Sequence, residues 1–270
     1  MRTTDLSWFG LRVPPFSKEI DDDDLWLPTS KVDLVDDLAE AIEARATILL
    51  TGEPGVGKTC VLRALRRRLS PETYRLTYCH NATLGRRDFY RQLCVALGLT
   101  PAATAAAVFY AVSTHVEELG RERIHPVFLL DEGHLLHQDV LDHLHILLNY
   151  QWDSRALLSL VLVGLPELEQ QLERRRNRSL YSRIHHRFTL DDVTGEDITE
   201  YIAYRLQRAG ANKTVFAADA IALMHEHATG ALRDIDRIAH AAMRDAARRK
   251  RKSVDREAVE RVLAGRIPIA

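Results

Sequence analysis

Residues 48–59 read ILLTGEPGVGKT, and this stretch constrains the fold more than any other. Ile48, Leu49 and Leu50 form a short apolar run, as a strand buried on both faces requires. Gly52 to Thr59 then match G-x(4)-G-K-S/T in full, the pattern of a phosphate-binding loop. Gly52, Gly55 and Gly57 permit a tight turn that aims backbone N–H groups at phosphate oxygens. Lys58 brings a cation to the β- and γ-phosphates, and the Thr59 hydroxyl is a ligand for Mg²⁺. The helix expected from there to Leu69 would point its N-terminus at the same anion. The residues expected to line a nucleoside triphosphate are therefore Gly52, Glu53, Pro54, Gly55, Val56, Gly57, Lys58, Thr59 and Cys60.

A second segment belongs with the first. Val127-Phe128-Leu129-Leu130 is an apolar strand that ends in Asp131 and Glu132. An aspartate at a strand tip can hold Mg²⁺ through water, and the adjacent glutamate can accept a proton from the attacking water. Between and after these motifs strands and helices alternate. Strands are expected at 74–79, 157–163 and near 187–190, with helices at 87–98, 102–119, 137–149 and 166–175. Ser30 is placed to cap a helix that runs to about Arg45. From Thr194 onward only helical periodicity remains, at about 195–209, 216–228, 231–250 and 255–264. This alternation implies an α/β fold with a parallel sheet, followed by a small helical part. The boundaries read as an arm at 1–30, a nucleotide-binding domain at 31–192 and a helical lid at 193–270. The arm is irregular and too apolar for a free tail, with Pro14-Pro15 preventing one continuous helix, and it is expected to pack across the body.

Bulk composition adds limits. The 270 residues carry a formal net charge of −1, so any basic surface for nucleic acid must be local. Cys60, Cys79 and Cys94 show no paired spacing and read as reduced thiols of a cytoplasmic protein. No signal peptide or membrane-spanning run is visible. The twelve histidines include no H-E-x-x-H and no cysteine-completed zinc set. The Asp21–Asp24 run reads as a solvated loop. Arg86, Arg87, Arg121 and Arg123 are candidates for phosphate contacts with DNA, and the RRKRK run at 248–252 ranks below them.

The order of motifs resembles the AAA+ ATPases. The residues that carry this likeness are the DE-G-H context at 131–134, VLVGLPEL at 161–168, SRIHHRF at 182–188 and TGALRDIDRIA at 229–239. More narrowly, with the opening WFGLRVPPFS, they resemble the ExeA-like group, which overlaps DNA transposition regulators of the TnsC and MuB type. The resemblance implies a P-loop αβα sandwich with a central acidic strand and a helical lid. It implies that Arg233 is the lid arginine that reaches the γ-phosphate. It further implies an arginine finger acting in the next subunit, at Arg183 with Arg187 as second choice. The partners it implies are double-stranded DNA, a transposase or integrase, and further copies of the chain in an ATP-dependent ring or helical filament, with no membrane. Two other readings stand beside it: an ATPase that assists assembly of a secretion complex, and a nucleotide-controlled switch for a protein partner. One departure stands out. The strand ending at Val163 should present a polar side chain to the attacking water, and this chain has Gly164-Leu165 there.

Overall fold

The computed structural model describes residues 3–17, 19–80, 83–101, 104–151, 154–228 and 230–265. In chain order they form α1 (Thr3–Phe9), α2 (Val32–Glu43), β1 (Thr47–Gly52), α3 (Lys58–Arg68), β2 (Tyr74–Cys79), α4 (Arg86–Ala96), α5 (Ala105–Arg121) and β3 (His125–Leu130). There follow α6 (Gln138–Leu147), β4 (Ser159–Gly164), α7 (Glu167–Glu173), α8 (Arg178–Tyr181) and β5 (Ile184–Leu190). The last part holds α9 (Gly195–Arg208), α10 (Ala218–Ala228), α11 (Leu232–Arg248) and α12 (Arg256–Leu263). The chain divides into two compact units. One comprises residues 33–53 and 61–190; the other comprises 1–32, 54–60 and 191–270.

The first unit is built on a parallel sheet of order β2-β3-β4-β1-β5. β1, β3 and β4 are buried at every residue, which is why their sequences TILLTG, HPVFLL and SLVLVG are nearly continuous in apolar side chains. The edge strands β2 and β5 expose alternate or successive residues. β5 begins at Ile184, earlier than its apolar pattern implies, because Thr47 of β1 pairs with Ile184 and the strand needs no inner-face apolar run at the edge. Val108, Val112 and Val116 recur every fourth residue on α5 and are fully buried with Phe89 and Leu93 of α4 and Leu141 and Leu144 of α6. Each such side chain contributes about 1.5–3 kcal/mol.

Helix starts are set by caps. α5 begins at Ala105, where the Thr104 hydroxyl accepts the Ala107 N–H at 3.2 Å; residues 102 and 103 of the expected helix lie outside the described residues. α6 begins after His137, whose Nδ1 accepts the Asp139 N–H at 3.4 Å. The pairings Thr51↔Gly164, Leu130↔Leu162 and Cys79↔Leu130 align the carboxyl ends of four strands along one edge of the sheet. The chain reverses its strand order there, between β1 and its neighbours, and α/β proteins bind ligands at such points.

The second unit packs α9 to α12 around Ile198, Ile202, Leu223, Met224, Ile235, Ile238, Val259 and Val262. A capping box starts α9: Thr194 accepts from the Asp197 N–H and the Asp197 carboxylate accepts from the Thr194 N–H. Ser30 does not cap α2. It sits in a single 3-10 turn (Thr29–Lys31) and its hydroxyl donates to the Asp197 carboxylate, at 3.3 Å to the nearer oxygen.

The N-terminal residues belong wholly to this unit. They include a helix, α1, which apolar content without clear period had not revealed. Phe16 meets Phe216 edge-on at 6.0 Å, and Trp26 lies against Tyr201 at 5.1 Å. Arg205 is 1% exposed and donates to the Pro15 and Ser17 carbonyls and to the Tyr201 hydroxyl. The Tyr201 hydroxyl in turn donates to Asp236 at 2.6 Å, where burial pushes the carboxyl above its usual range. Asp24 pairs with Arg208 at 2.6 Å, so the acidic run has a partner rather than solvent alone. At the end of the basic run, Lys252 lies 4.0 Å over the Trp8 ring, and the Trp8 indole N–H donates to the Arg251 carbonyl.

Candidate nucleotide site

The phosphate loop leaves β1 at Gly52 and delivers the chain to α3 at Lys58. Gly55 and Gly57 have φ of +91° and +103°, a conformation that a residue with a side chain adopts only under strain. Turns of this kind are what a loop needs to aim successive N–H groups at a phosphate. The start of α11 lies against the loop. The Leu232 N–H donates to the Gly55 carbonyl at 3.2 Å. A Cβ on Gly55 would stand 2.9 Å from the Ala231 Cβ and 3.9 Å from the Arg233 Cβ. Arg233, chosen from the sequence as the lid arginine, is thus held beside the loop by backbone contacts, with its side chain exposed.

The strand tips carry the second cluster. Asp131 is 6% exposed, and its N–H continues the ladder to the Cys79 carbonyl at 2.9 Å. The Glu132 N–H donates to Asp131 Oδ1 at 2.8 Å, and the Tyr78 hydroxyl donates to Oδ2 at 2.7 Å. Burial, with Asp131 beside it, raises the Tyr78 pKa and keeps the phenol a donor. The sequence reading missed Tyr78. The signal was its position one residue from the end of the strand that pairs with the acidic strand. Glu132 has φ of +55°, in the left-handed region, and its carboxylate is half-exposed. His134, two residues on, lies with its Nδ1 3.4 Å from the Leu165 N and 3.7 Å from Glu132 Oε2.

These groups suit a magnesium nucleotide. Thr59 and Asp131 are hard oxygen donors. Among the described residues no group of three or more His, Cys, Asp or Glu is placed to hold a metal ion unaided. Mg²⁺ commonly takes one or two protein oxygens and completes its shell with phosphate and water, and each of these residues, taken in its own unit, is a donor of that kind.

The remaining candidates lie elsewhere. Arg183 precedes β5, and Ile184 pairs with Thr47 at the start of β1. A six-residue strand spans roughly 20 Å, so Arg183 sits about that far from the carboxyl edge and outside its own sheet's tip cluster. Its guanidinium donates to the Ser179 carbonyl at 3.1 Å. Arg187 stacks 4.4 Å over the Tyr181 ring and lies 4.0 Å from Glu169. Arg86 and Arg87 open α4 and are exposed; Arg121 closes α5, exposed, 3.6 Å from Glu117. Arg86 also lines a cavity of about 400 Å³ with Tyr90, Phe109, Tyr110 and His143. Among the described residues no helix is long and apolar enough to cross a membrane.

Comparison with known proteins agrees with this geometry. Residues 29–172 match the AAA domain family. Over 239 residues the chain is 32% identical to general secretion pathway protein A of Aeromonas hydrophila, covering 87% of this chain and 44% of that protein. The chain therefore spans less than half the length of that relative. The Orc2 protein of Aeropyrum pernix, solved in ADPNP–ADP complexes, superposes with a TM-score of 0.70 at 16% identity, over 94% of this chain and 72% of its own. The Orc1 protein of Aeropyrum pernix in complex with DNA gives 0.66 at 22% identity, over 89% and 66%. The two structures speak to the fold. With the family match extending over more than half its length, and with the loop, the acidic strand tip and the parallel sheet in place, the chain belongs to the AAA domain family of P-loop ATPases.

Proposed function

We propose that this protein is a cytoplasmic AAA+ ATPase that assembles on double-stranded DNA in its ATP state and recruits or regulates a transposase or integrase, with hydrolysis driving disassembly. The observation that carries the nucleotide-controlled part is the seating of α11 on Gly55, which couples the loop to the helix bearing Arg233. In this reading the loop N–H groups and Lys58 bind the triphosphate, and Arg233 senses the γ-phosphate. Thr59 and Asp131 would hold Mg²⁺, which would supply charge neutralising the bound phosphates. Glu132 accepts the proton of the attacking water. Tyr78 fixes the Asp131 carboxylate. Arg183 serves the site of a neighbouring copy, which its distance from the tip cluster favours.

The exposed Arg86, Arg87 and Arg121 would contact DNA phosphates, giving affinity without sequence readout. That the Orc1 protein, similar in fold, was solved in complex with DNA is in keeping with DNA as a partner and does not bear on which residues touch it. A second reading, assistance in assembling a secretion complex, is favoured by the name of the 32% identical relative. One experiment separates them. Duplex DNA binding is measured with and without ATP and Mg²⁺ for the wild type, Glu132→Gln and the double variant Arg86→Ala/Arg87→Ala. The DNA reading expects ATP-dependent binding, trapped as an oligomer by Glu132→Gln. It also expects a salt dependence that falls by up to about two counterions in the arginine variant. ATP turnover with no DNA binding at all would favour the secretion reading.

A further inference from the structure

Helices α4, α5 and α6 of the sheet unit line a cavity of about 400 Å³ that the nucleotide chemistry does not use. Its walls follow from helical spacing. Arg86 and Tyr90 stand four residues apart on α4, and Ala106 and Tyr110 stand four apart on α5, so each pair shares a helix face. Phe109 of α5 and His143 of α6 join them in the lining, and the small Ala106 side chain leaves the space open.

The inner rings brace one another. Phe109 meets Tyr90 edge-on at 5.5 Å and His143 at 5.0 Å, and the Tyr90 hydroxyl shares a 3.0 Å hydrogen bond with His143 Nδ1. Tyr90 is 1% exposed, so this wall is already packed. The rim is the opposite. Tyr110 is 73% exposed, and its side chain makes no ring contact and no hydrogen bond among the described residues. Arg86 is exposed and pairs with no carboxylate among the described residues. No acidic residue lines the cavity, and the first turn of α5 carries none. Burial, with Arg86 and His145 nearby, lowers the His143 pKa and keeps that ring neutral near pH 7, so the charge of the lining is the Arg86 guanidinium.

We propose that this cavity takes an unpaired nucleobase of a DNA strand, stacked on Tyr110, with Arg86 on the adjoining phosphate. Every base has a π-face that an aromatic side chain can stack on, and its phosphate is the anion that a cation at the rim calls for. A cavity of this size is in the range that small planar ligands occupy. A fully paired duplex keeps its bases in the stack and offers the cavity nothing, so the site would read strand opening rather than sequence. The proposal deepens the reading of Arg86 as a DNA contact and rests on it.

Tyr110 and Ala106 are exposed, so each can be changed without disturbing the core. Fluorescence anisotropy with ATP and Mg²⁺ present measures binding of a fully paired duplex and of the same duplex with a short central thymidine bubble. The wild type should bind the bubble more tightly, by roughly 5- to 100-fold for a stacked base. Tyr110→Ala removes the ring and Ala106→Leu fills the space. Each should erase the difference while affinity for the paired duplex stays within about twofold of the wild type. Tyr110→Phe should preserve it, because stacking needs the ring and not the hydroxyl. A bubble preference that survives Tyr110→Ala and Ala106→Leu would overturn the proposal. So would displacement of the bubble by an equal concentration of thymidine monophosphate, which would assign the cavity to a free nucleotide. Paired-duplex binding with no bubble preference in the wild type would overturn this proposal alone. A wild type that binds neither duplex would overturn the DNA reading with it.

Discussion

The two units reach stability by different routes. In the sheet unit cohesion is apolar and distributed, with three adjacent strands buried along their whole length. In the helical unit the apolar core is joined by a concentrated polar hub, in which Arg205 ties two carbonyls of the N-terminal segment and the Tyr201 hydroxyl into one network. A distributed core loses a little at each damaged position. A hub loses much at one, because every partner left behind is a buried polar group without its hydrogen bond.

That contrast can be broken at its strongest point. Arg205→Ala strips the Pro15 and Ser17 carbonyls of their donors and should cost about 3–5 kcal/mol. Amide exchange should speed up across α1, residues 11–17 and α9 while β1, β3 and β4 stay protected. Equal loss in the strands would show that the two units unfold as one.

A smaller effect is expected at the loop. Gly55→Ala places a Cβ 2.9 Å from that of Ala231 at φ of +91° and should cost about 1–3 kcal/mol. Its sharper mark is functional: ATP affinity should fall well before the strands of the sheet lose exchange protection. Undiminished nucleotide binding would separate the helical contact from the loop's duty.

The smallest effect belongs to the sheet unit and depends on pH. Burial lowers the His125 pKa to about 4, with Nε2 2.9 Å from the Ser159 hydroxyl and Nδ1 lacking a partner among the described residues. The unfolded chain protonates this histidine near pH 6.5, before the folded chain does. Stability is therefore full above about pH 6.5 and declines as pH falls toward 4. His125→Phe should flatten that interval in denaturant titrations at pH 7 and pH 5. An unchanged slope would place the titration on other groups.

What the sequence disclosed and what it withheld follow from range. The phosphate loop and the Asp131-Glu132 tip were legible because their chemistry needs neighbouring residues in fixed order. Gly55 could be named, but its carbonyl's partner at Leu232 depends on a distant helix. Tyr78 was not identified as a partner of Asp131 because it gains that role across strands, through pairing that no local period encodes. Arg205 lies on a helix expected at about 195–209, and only the docking of Pro15 and Ser17 explains its burial. The polar edge strand β5 was seen only in its last residues for the same reason. Its pairing with β1 supplies the order that its own side chains do not.

The contact of Trp26 with Tyr201 has an optical consequence. The indole lies 5.1 Å from a phenol whose hydroxyl accepts a hydrogen bond from Arg205, and Trp8 lies under the Lys252 ammonium. Both chromophores sit in the helical unit. With Trp152 replaced by phenylalanine, the protein's tryptophan emission, excited at wavelengths where tyrosine does not absorb, would arise from Trp8 and Trp26 alone, a built-in lamp on the N-terminal segment that needs no attached dye.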